Sequence, residues 1–256
     1  MRKYWYFFLQ TLKDFLAYRA RFIFTTIFQF VTPLTMIWVF ISLPGNQFSG
    51  MGKHQIISYY VFVSFLGLFM TSKVDDFIKL AIQQGDLGKY MLKPVKFWLI
   101  SLITDLSRRI VRLVIGTPIF LAILYSSGAN LLLSGDIPKL VTAIALSLIL
   151  AYTFSYFFGL LTFWFEELWG WQNLRDVAVV LLSGVILPYQ FFPNNMLEIL
   201  KWSPFPYLVA WPLRIGFTGN FYFEIIVSLL WIATFYILGN IFWKKGLKIY
   251  SALGLY

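Results

Sequence analysis

The sequence predicts an all-α membrane protein whose helices cross the bilayer six times. The chain has 256 residues, of which 59% are hydrophobic and only 12% are charged, and its mean hydropathy is +0.74. Soluble domains usually carry about 25% charged residues, so a water-facing globular fold is excluded. Six apolar stretches approach the length of about 20 residues that a spanning helix needs. They cover residues 22–43, 56–72, 110–125, 140–165, 177–192 and 221–243, and we expect them to form a single transmembrane domain over residues 1–256.

The first element is predicted to be an amphipathic helix over residues 2–19. Its apolar residues recur at helical spacing: Trp5, Phe8, Leu9, Leu12, Phe15 and Leu16. The opposite face is polar and carries Lys3, Gln10, Lys13 and Asp14. Such a helix lies in the headgroup layer of a membrane. The alternative is an extension of the first span, which would bury Arg19 and Arg21 at a high cost.

The long loop between the second and third spans contains a short predicted helix. Its apolar residues lie on one helical stripe: Val74, Phe77, Ile78 and Ala81. Asp75 and Asp76 favour the start of this helix through the macrodipole, and Gly85 is a natural terminator. A second short element over residues 87–92 ends before Pro94. Two interpretations stay open, namely a connector whose apolar face rests on the membrane and a docking element that passes movement to the spans.

The third span continues an apolar run that starts at Phe97. Four charged residues interrupt this run: Asp105, Arg108, Arg109 and Arg112. A helix over residues 97–126 would be about 45 Å long. We therefore expect it to begin in the cytoplasm and to enter the bilayer past its arginines, whose charged ends reach the headgroups.

The segment after the fifth span is apolar but rich in proline. Its five prolines are Pro188, Pro193, Pro204, Pro206 and Pro212, and they preclude one continuous helix. We predict short re-entrant or interfacial helices that form an outer hairpin before the last span. Their backbone groups would be satisfied by protein or by water, because lipid offers no hydrogen-bond partner.

The distribution of basic residues predicts the orientation. With the N-terminus inside, 17 of the 21 lysines and arginines fall in cytoplasmic segments, and only Lys53, Lys139, Lys201 and Arg214 lie outside. This bias follows the positive-inside rule. We expect a multi-pass protein of the cell (inner) membrane with both termini in the cytoplasm. The net charge of +10 then requires no nucleic-acid partner.

The chain lacks the residues of common catalytic and metal sites. It has no cysteine and a single histidine, His54, and it contains no phosphate-binding loop. We therefore predict no catalytic residue, no metal and no cofactor on this chain, and no enzymatic activity of its own. The acidic residues at span ends are Glu166, Glu167 and Glu224, and each is predicted to be interfacial.

Three stretches resemble one known family. Residues 85–94, Gly-Asp-Leu-Gly-Lys-Tyr-Met-Leu-Lys-Pro, resemble the signature of type 2 ABC exporter permeases, although Lys93 stands where that family has arginine. Residues 183–188 and the following Phe-Phe-Pro and Pro-Phe-Pro-Tyr motifs resemble the family's fifth span and its re-entrant outer hairpin. Residues 243–254 resemble its short basic tail. The resemblance covers essentially the whole chain and is to the half-size, six-span permeases.

The resemblance implies parts and partners. The N-terminal helix would be the connecting helix, and residues 75–84 would be the coupling helix, which docks into a separate ABC ATPase. The implied docking residues are Asp75, Asp76, Phe77, Ile78, Gly85, Asp86, Leu87, Leu92 and Pro94. Two ATPase chains, which would hold ATP and Mg, and two permease chains, identical or paralogous, would form the exporter in membrane lipid. Its substrate would be amphiphilic: lipid-like, drug-like or a peptide.

Two other functions remain open from the sequence. A secondary transporter driven by an ion gradient would require carboxylates in the middle of spans, where the sequence places few ionisable groups. A membrane-bound enzyme that modifies lipids would require clustered catalytic groups at an interface. The only such cluster is Glu166 and Glu167, beside Trp169 and Trp171.

Overall fold

The computed structural model describes residues 8, 9, 11, 13, 17, 19–43, 47–48, 51–92, 96–128, 136–165, 169–213 and 219–252. The predicted N-terminal helix lies mostly outside the described residues, as do Pro94, Glu166, Glu167 and Arg214. Within the described part, the only strands form a small antiparallel hairpin of β1 (Gln47–Phe48) and β2 (Met51–Gly52), which the sequence did not predict.

From residue 19 onward, the described chain forms nine α-helices. They are α1 (Arg19–Ser42), α2 (Lys53–Met70), α3 (Val74–Gln83), α4 (Leu87–Met91), α5 (Phe97–Ser127), α6 (Ile137–Leu160), α7 (Trp169–Leu182), α8 (Asn194–Leu200) and α9 (Phe221–Ala252). Four short 3-10 turns join them, at Leu161–Phe163, Tyr189–Phe191, Phe205–Leu208 and Trp211–Leu213. The α-class prediction is confirmed.

Five helical stretches of the described chain are long and apolar enough to cross a membrane. They are Phe22–Ser42, Lys53–Gln83, Phe97–Ser127, Ile137–Phe163 and Phe221–Ser251, of which the second joins α2 and α3. They correspond to the first, second, third, fourth and sixth predicted spans. Together they identify an integral membrane protein.

The fifth predicted span differs from the helix that the structure contains. The prediction covered residues 177–192, whereas α7 starts earlier, at Trp169, and ends at Leu182. The earlier start follows from polar contacts that hold the first turns of α7 against α3, described below. The earlier end follows from Gly184, whose φ of 87° is left-handed and incompatible with a continuing helix.

Each end of the helix bundle contains its own cluster of buried apolar residues. The α3 end contains the buried cluster of Val74, Ile78, Leu87, Phe97, Leu160, Phe163 and Tyr250. The opposite end, here called the proline-rich end, contains the cluster of Phe40, Met51, Ile56, Tyr59 and Tyr60, against which Leu187 and Phe191 pack. Consecutive long helices run between these ends in alternating directions.

Helix α6 lies at the centre of one half of the bundle. It packs against α9 more extensively than any other two helices pack, and it also contacts α3. Helices α1, α2 and α5 share a second apolar cluster around Phe30, Phe62 and Phe120. Helix α5 has 31 residues and α9 has 32, which correspond to about 46 and 48 Å. Both exceed the hydrocarbon thickness of about 30 Å, so each extends beyond the apolar layer.

The arginines of α5 bind the end of α2. Arg109 is buried, and its Nε lies 2.7 Å from Asp105 Oδ2 while its Nη1 donates to the Phe69 carbonyl at 2.6 Å. Arg112 donates to the Thr71 carbonyl at 2.7 Å. The expectation that Arg109 reaches the headgroups is therefore wrong. The last carbonyls of α2 lack partners within their own helix, and they attract these cations into the bundle.

Candidate functional site

The apolar face of α3 packs on the chain's own helices. Val74, Ile78 and Ala81 are buried in the cluster at the α3 end. Phe77 is half-buried, and its ring stacks on Phe97, the first residue of α5, with centroids 6.0 Å apart. Phe97 in turn stacks on Trp243 of α9 at 4.9 Å with an interplanar angle of 6°. The stripe predicted from the sequence is thus covered by protein rather than by a membrane surface.

A glycine lets α3 approach α6 closely. A Cβ atom placed on Gly159 would lie 2.9 Å from Asp75 Cα and 3.0 Å from Ile78 Cβ. A real Cβ atom this close to a backbone carbon would overlap with it and force the two helices apart. Only glycine therefore fits at this contact. The backbone of α3 therefore rests directly on the last turn of α6.

Asp75 connects the start of α3 to two other helices. Its carboxylate accepts a hydrogen bond from Ser155 of α6 at 2.6 Å and one from Gln172 of α7 at 2.9 Å. Arg175 Nη1 of α7 forms an ion pair with the same carboxylate at 2.7 Å. The Asp75 and Arg175 side chains are only 1% and 5% exposed. A pair this deeply buried is tolerated because both partners are present and hydrogen-bonded.

A second, more exposed set of polar contacts surrounds this pair. Lys73, just before α3, binds Asp176 of α7 at 2.5 Å, and Arg175 also donates to Asp176 at 2.7 Å. Lys79 donates to Gln172 at 3.1 Å. Gln172, Arg175 and Asp176 of α7 therefore hold the inner side of α3.

The outer side of α3 faces away from the bundle. Its exposed residues are Asp76, Leu80 and Gln83, followed by Gln84, and Asp76 also accepts a hydrogen bond from Gln172 of α7 at 3.3 Å. The helix ends as predicted at a glycine, since Gly85 has a φ of 74° and its amide donates to the Ile82 carbonyl. Asp86 and Lys89 form an ion pair on the following turn, and this hydrogen bond raises the pKa of the Lys89 ammonium.

The structure divides the predicted docking residues by exposure. Asp75, Ile78 and Leu87 are buried, and Phe77, Gly85 and Asp86 are half-buried, whereas Asp76 and Leu92 are exposed. Pro94 lies outside the described residues. The buried members hold α3 in place, so contact with another protein falls to the exposed ones.

Sequence reasoning missed the α7 residues that hold α3. Gln172, Arg175 and Asp176 lie before the predicted fifth span, which starts at residue 177, and outside every predicted element. Their spacing places all three on one helical face, a polar stripe ahead of an apolar segment. That pattern was available in the sequence. The sequence did not indicate that Asp75 is their partner, because Asp75 and Arg175 lie 100 positions apart in the chain.

The proline-rich segment at the other end is held by buried tyrosines. Tyr59 and Tyr60 of α2 donate to the carbonyls of Gly184 and Ile186, at 2.8 and 2.5 Å. Tyr189 donates to the Leu182 carbonyl at 2.9 Å. These carbonyls lie where the chain leaves α7, so the phenols satisfy acceptors that a helix would otherwise satisfy. The segment contains several short helices, as the prolines predict; Pro188, Pro204 and Pro206 are buried, and Pro193 is exposed.

Glu224, on the first turn of α9, is completely buried. Its carboxylate accepts a hydrogen bond from Trp211 Nε1 at 2.7 Å. Glu224 thus lies inside the protein at the start of the last span, and its position at the membrane interface stays a prediction. Its burial follows from the fold of residues 204–213 over the start of α9, which hydropathy alone does not indicate.

The chain belongs to the ABC-2 family of transporter proteins. A family model described as "ABC-2 family transporter protein" matches residues 23–254, which is nearly the whole sequence. The chain is thus a membrane permease component of an ABC transporter, a class that pairs with an ABC ATPase subunit. The resemblance noted in the sequence is confirmed. No curated protein and no solved structure matches the chain significantly.

Proposed function

We propose that this permease is half of the translocation path of an ATP-driven exporter, and that α3 is its coupling helix. The observation that carries the proposal is the two-sided character of α3. Its inner side is attached to α5, α6 and α7 by packing, hydrogen bonds and a buried ion pair. Its outer side exposes Asp76, Leu80, Gln83 and Gln84, which are available to an ATPase.

Movement of α3 would reach the spans through three contacts. The backbone contact at Gly159 leads to α6. The pair of Asp75 and Arg175 leads to α7. The stacked rings of Phe77, Phe97 and Trp243 lead to α5 and α9. ATP and Mg bind the ATPase, whose closure would push the outer side of α3, and these contacts would convert that push into a rearrangement of the spans.

We further propose six spans, with α7 making the fifth crossing. Helix α7 starts at the α3 end, where Gln172 and Arg175 bind Asp75. The chain that follows lies at the proline-rich end, where Leu187 and Phe191 join the cluster of α1 and α2. The helical part is about 21 Å long, so the non-helical residues after Leu182 complete the passage. Residues 183–213 are then the re-entrant outer hairpin, and both termini are cytoplasmic in the inner membrane.

The working complex would contain two permease chains, identical or paralogous, and two ATPase chains. Large apolar side chains of α1 face away from the bundle, among them Phe24, Phe28 and Trp38. Lipid or the second permease would cover them. An amphiphilic substrate, whether lipid-like, drug-like or a peptide, fits a path between such aromatic-rich helices.

The docking proposal is tested by Leu80→Asp. Leu80 is 48% exposed on the outer side of α3, so a carboxylate there leaves the packing of the helix intact but places a charge in the proposed contact. We expect the ATPase that co-purifies with the chain in mild detergent to be lost. The matched control is Ile199→Asp, a 73% exposed position on α8 at the opposite end, which should retain it.

Unchanged co-purification and unchanged substrate-stimulated ATP hydrolysis in Leu80→Asp would contradict the docking proposal. A secondary transporter driven by an ion gradient would behave in the opposite way. In that case transport continues without the ATPase and stops when the buried carboxylates Asp105 and Glu224 are neutralised.

A further inference from the structure

A cavity of about 410 Å³ opens between α5, α6 and α9 near the α3 end. Tyr152 and Tyr156 of α6 line it from one side, Trp98 of α5 from another, and Phe235 and Trp243 of α9 from the third. Its volume lies in the range of about 300 to 1,000 Å³ that is usual for small-molecule sites. It shares Phe97 and Trp243 with the ring stack that links α3 to α5 and α9.

The polar groups of this cavity are suited to an anion. Lys96 lines the opening and has no ion-pair partner among the described residues, and no described acidic residue lines the cavity. The Tyr156 hydroxyl makes no hydrogen bond within the described chain. A ligand in the cavity that Tyr156 lines would supply a partner for this hydroxyl. Lys244 and Lys245 follow the lining residue Trp243 in α9, and both are exposed and add positive charge at this end of the bundle.

Along α9 the cavity lining runs from Trp243 through Asn240 and Tyr236 to Phe235. Trp243 lies about 33 Å along the helix from Phe221, which is close to the thickness of the hydrocarbon layer. Tryptophan, tyrosine and lysine at this depth are typical of the membrane interface. Phe235 lies about 12 Å nearer the middle of the helix. A ligand in this cavity would therefore have an anionic head at Lys96 and an apolar chain toward Phe235.

We infer that this cavity binds an anionic phospholipid from the surrounding membrane, with the headgroup phosphate at Lys96 and part of an acyl chain against Tyr156 and Phe235. The charge decides against a second copy of this chain as the occupant, because in a symmetric pair this lysine-rich end would face an identical one. The inference goes beyond the exporter proposal, since the lipid binds whether or not an ATPase docks on α3.

The test is native mass spectrometry of the purified full chain with equal amounts of dioleoylphosphatidylglycerol and dioleoylphosphatidylcholine. The wild-type chain should retain the anionic lipid in preference. Lys96→Gln should weaken that binding about fivefold, as expected for one lysine near an anionic lipid, and leave the zwitterionic lipid unaffected. Lys248→Gln is the matched control, because Lys248 is an exposed lysine of the same end that does not line the cavity.

Tyr156→Phe provides a second variant that keeps the packing and removes only the hydroxyl; it should also weaken retention of the anionic lipid. Excess glycerol phosphate should fail to displace the lipid, because it lacks the apolar chain. Equal binding of both lipids, unchanged preference in both variants, or displacement by glycerol phosphate would each overturn the inference. So would a dimer that blocks lipid binding and is lost in Lys96→Gln.

Discussion

At the scale of single residues, Asp75 and Arg175 hold opposite charges where neither reaches water. Coulomb attraction alone does not repay the cost of removing two charges from solvent. Ser155, Gln172 and Asp176 supply the additional hydrogen bonds that make the pair tolerable. The arrangement therefore depends on every member and attaches α3 at one fixed position.

Removal of Arg175 should strongly destabilise the chain. Arg175→Met leaves the Asp75 carboxylate buried without its cation, and we expect a loss of about 3 to 5 kcal/mol in the free energy of unfolding. The measurement is thermal unfolding in mild detergent. The double variant Asp75→Asn with Arg175→Met should recover part of the loss, because no buried charge remains.

The control for this prediction is Lys89→Met, which breaks the exposed pair with Asp86 and should leave the unfolding midpoint nearly unchanged. If Arg175→Met unfolds at the wild-type temperature, the pair does not stabilise the attachment of α3.

Gly159→Ala should move α3 away from α6. The added methyl would lie 2.9 Å from Asp75 Cα, and relieving that overlap should cost about 1 to 3 kcal/mol despite the better helix propensity of alanine. The matched control is Gly170→Ala, since no atom lies within 4 Å of the corresponding Cβ position. That variant should be neutral or more stable by up to about 1 kcal/mol. Equal unfolding midpoints for the two variants would contradict the close contact.

The sequence predicted the behaviour of single residues correctly where that behaviour depends on neighbours in the chain. Gly85 ends α3 because the conformation there is left-handed, and the Val74, Ile78 and Ala81 stripe is buried because its spacing is helical. Prediction failed for Arg109, and it gave no sign that Glu224 is buried within the protein. Their burial depends on partners from other helices, and hydropathy carries no information on such partners.

At the scale of elements, α7 and the turns after it show how a helix stops inside a membrane protein. The apolar sequence continues past Leu182, but Gly184 turns the chain and leaves carbonyls without helical partners. Two tyrosines of α2 replace the missing donors. The sequence indicated the break through its prolines, but it gave no sign that α2 supplies the donors.

Tyr60→Phe should loosen this element without changing its shape. The Ile186 carbonyl would lose its donor, and an unsatisfied buried acceptor costs about 1 to 3 kcal/mol. We expect a lower unfolding midpoint and faster hydrogen exchange around residues 183–191, measured by mass spectrometry. Tyr125→Phe, at a 93% exposed tyrosine of α5, is the control. Exchange that is unchanged in both variants would rule out the tyrosine as a support.

At the scale of the whole molecule, the absence of cysteine makes the orientation directly measurable. Gln84→Cys places a thiol on the outer side of α3, and Asn194→Cys places one on exposed α8 at the opposite end. If the α3 end is cytoplasmic, a membrane-impermeant maleimide added to intact cells labels Asn194→Cys and leaves Gln84→Cys unlabelled. Permeabilised cells should label both. The reverse pattern in intact cells would invert the orientation.

The positions of the candidate spans were largely predictable, because a bilayer requires long apolar helices and hydropathy reports them directly. Five of the six predicted segments correspond to candidate spans. The fifth predicted segment differs most from the structure, because it covers both the end of a short helix, α7, and the turn whose carbonyls bind the tyrosines of α2. The site on α3 was predictable as a helix but not as an attachment, since its contacts join positions 75, 159 and 175.

The hydrogen bonds of Tyr59 and Tyr60 in α2 also determine the order in which parts of the chain can enter the membrane. During synthesis α2 leaves the ribosome long before residues 183–187, and those residues carry carbonyls that lipid cannot satisfy. The turn can therefore leave the insertion machinery at low cost only after α2 is in place beside it. Helix α2, which is inserted early, thus provides the hydrogen-bond donors that a later, irregular segment of the same chain needs in order to fold.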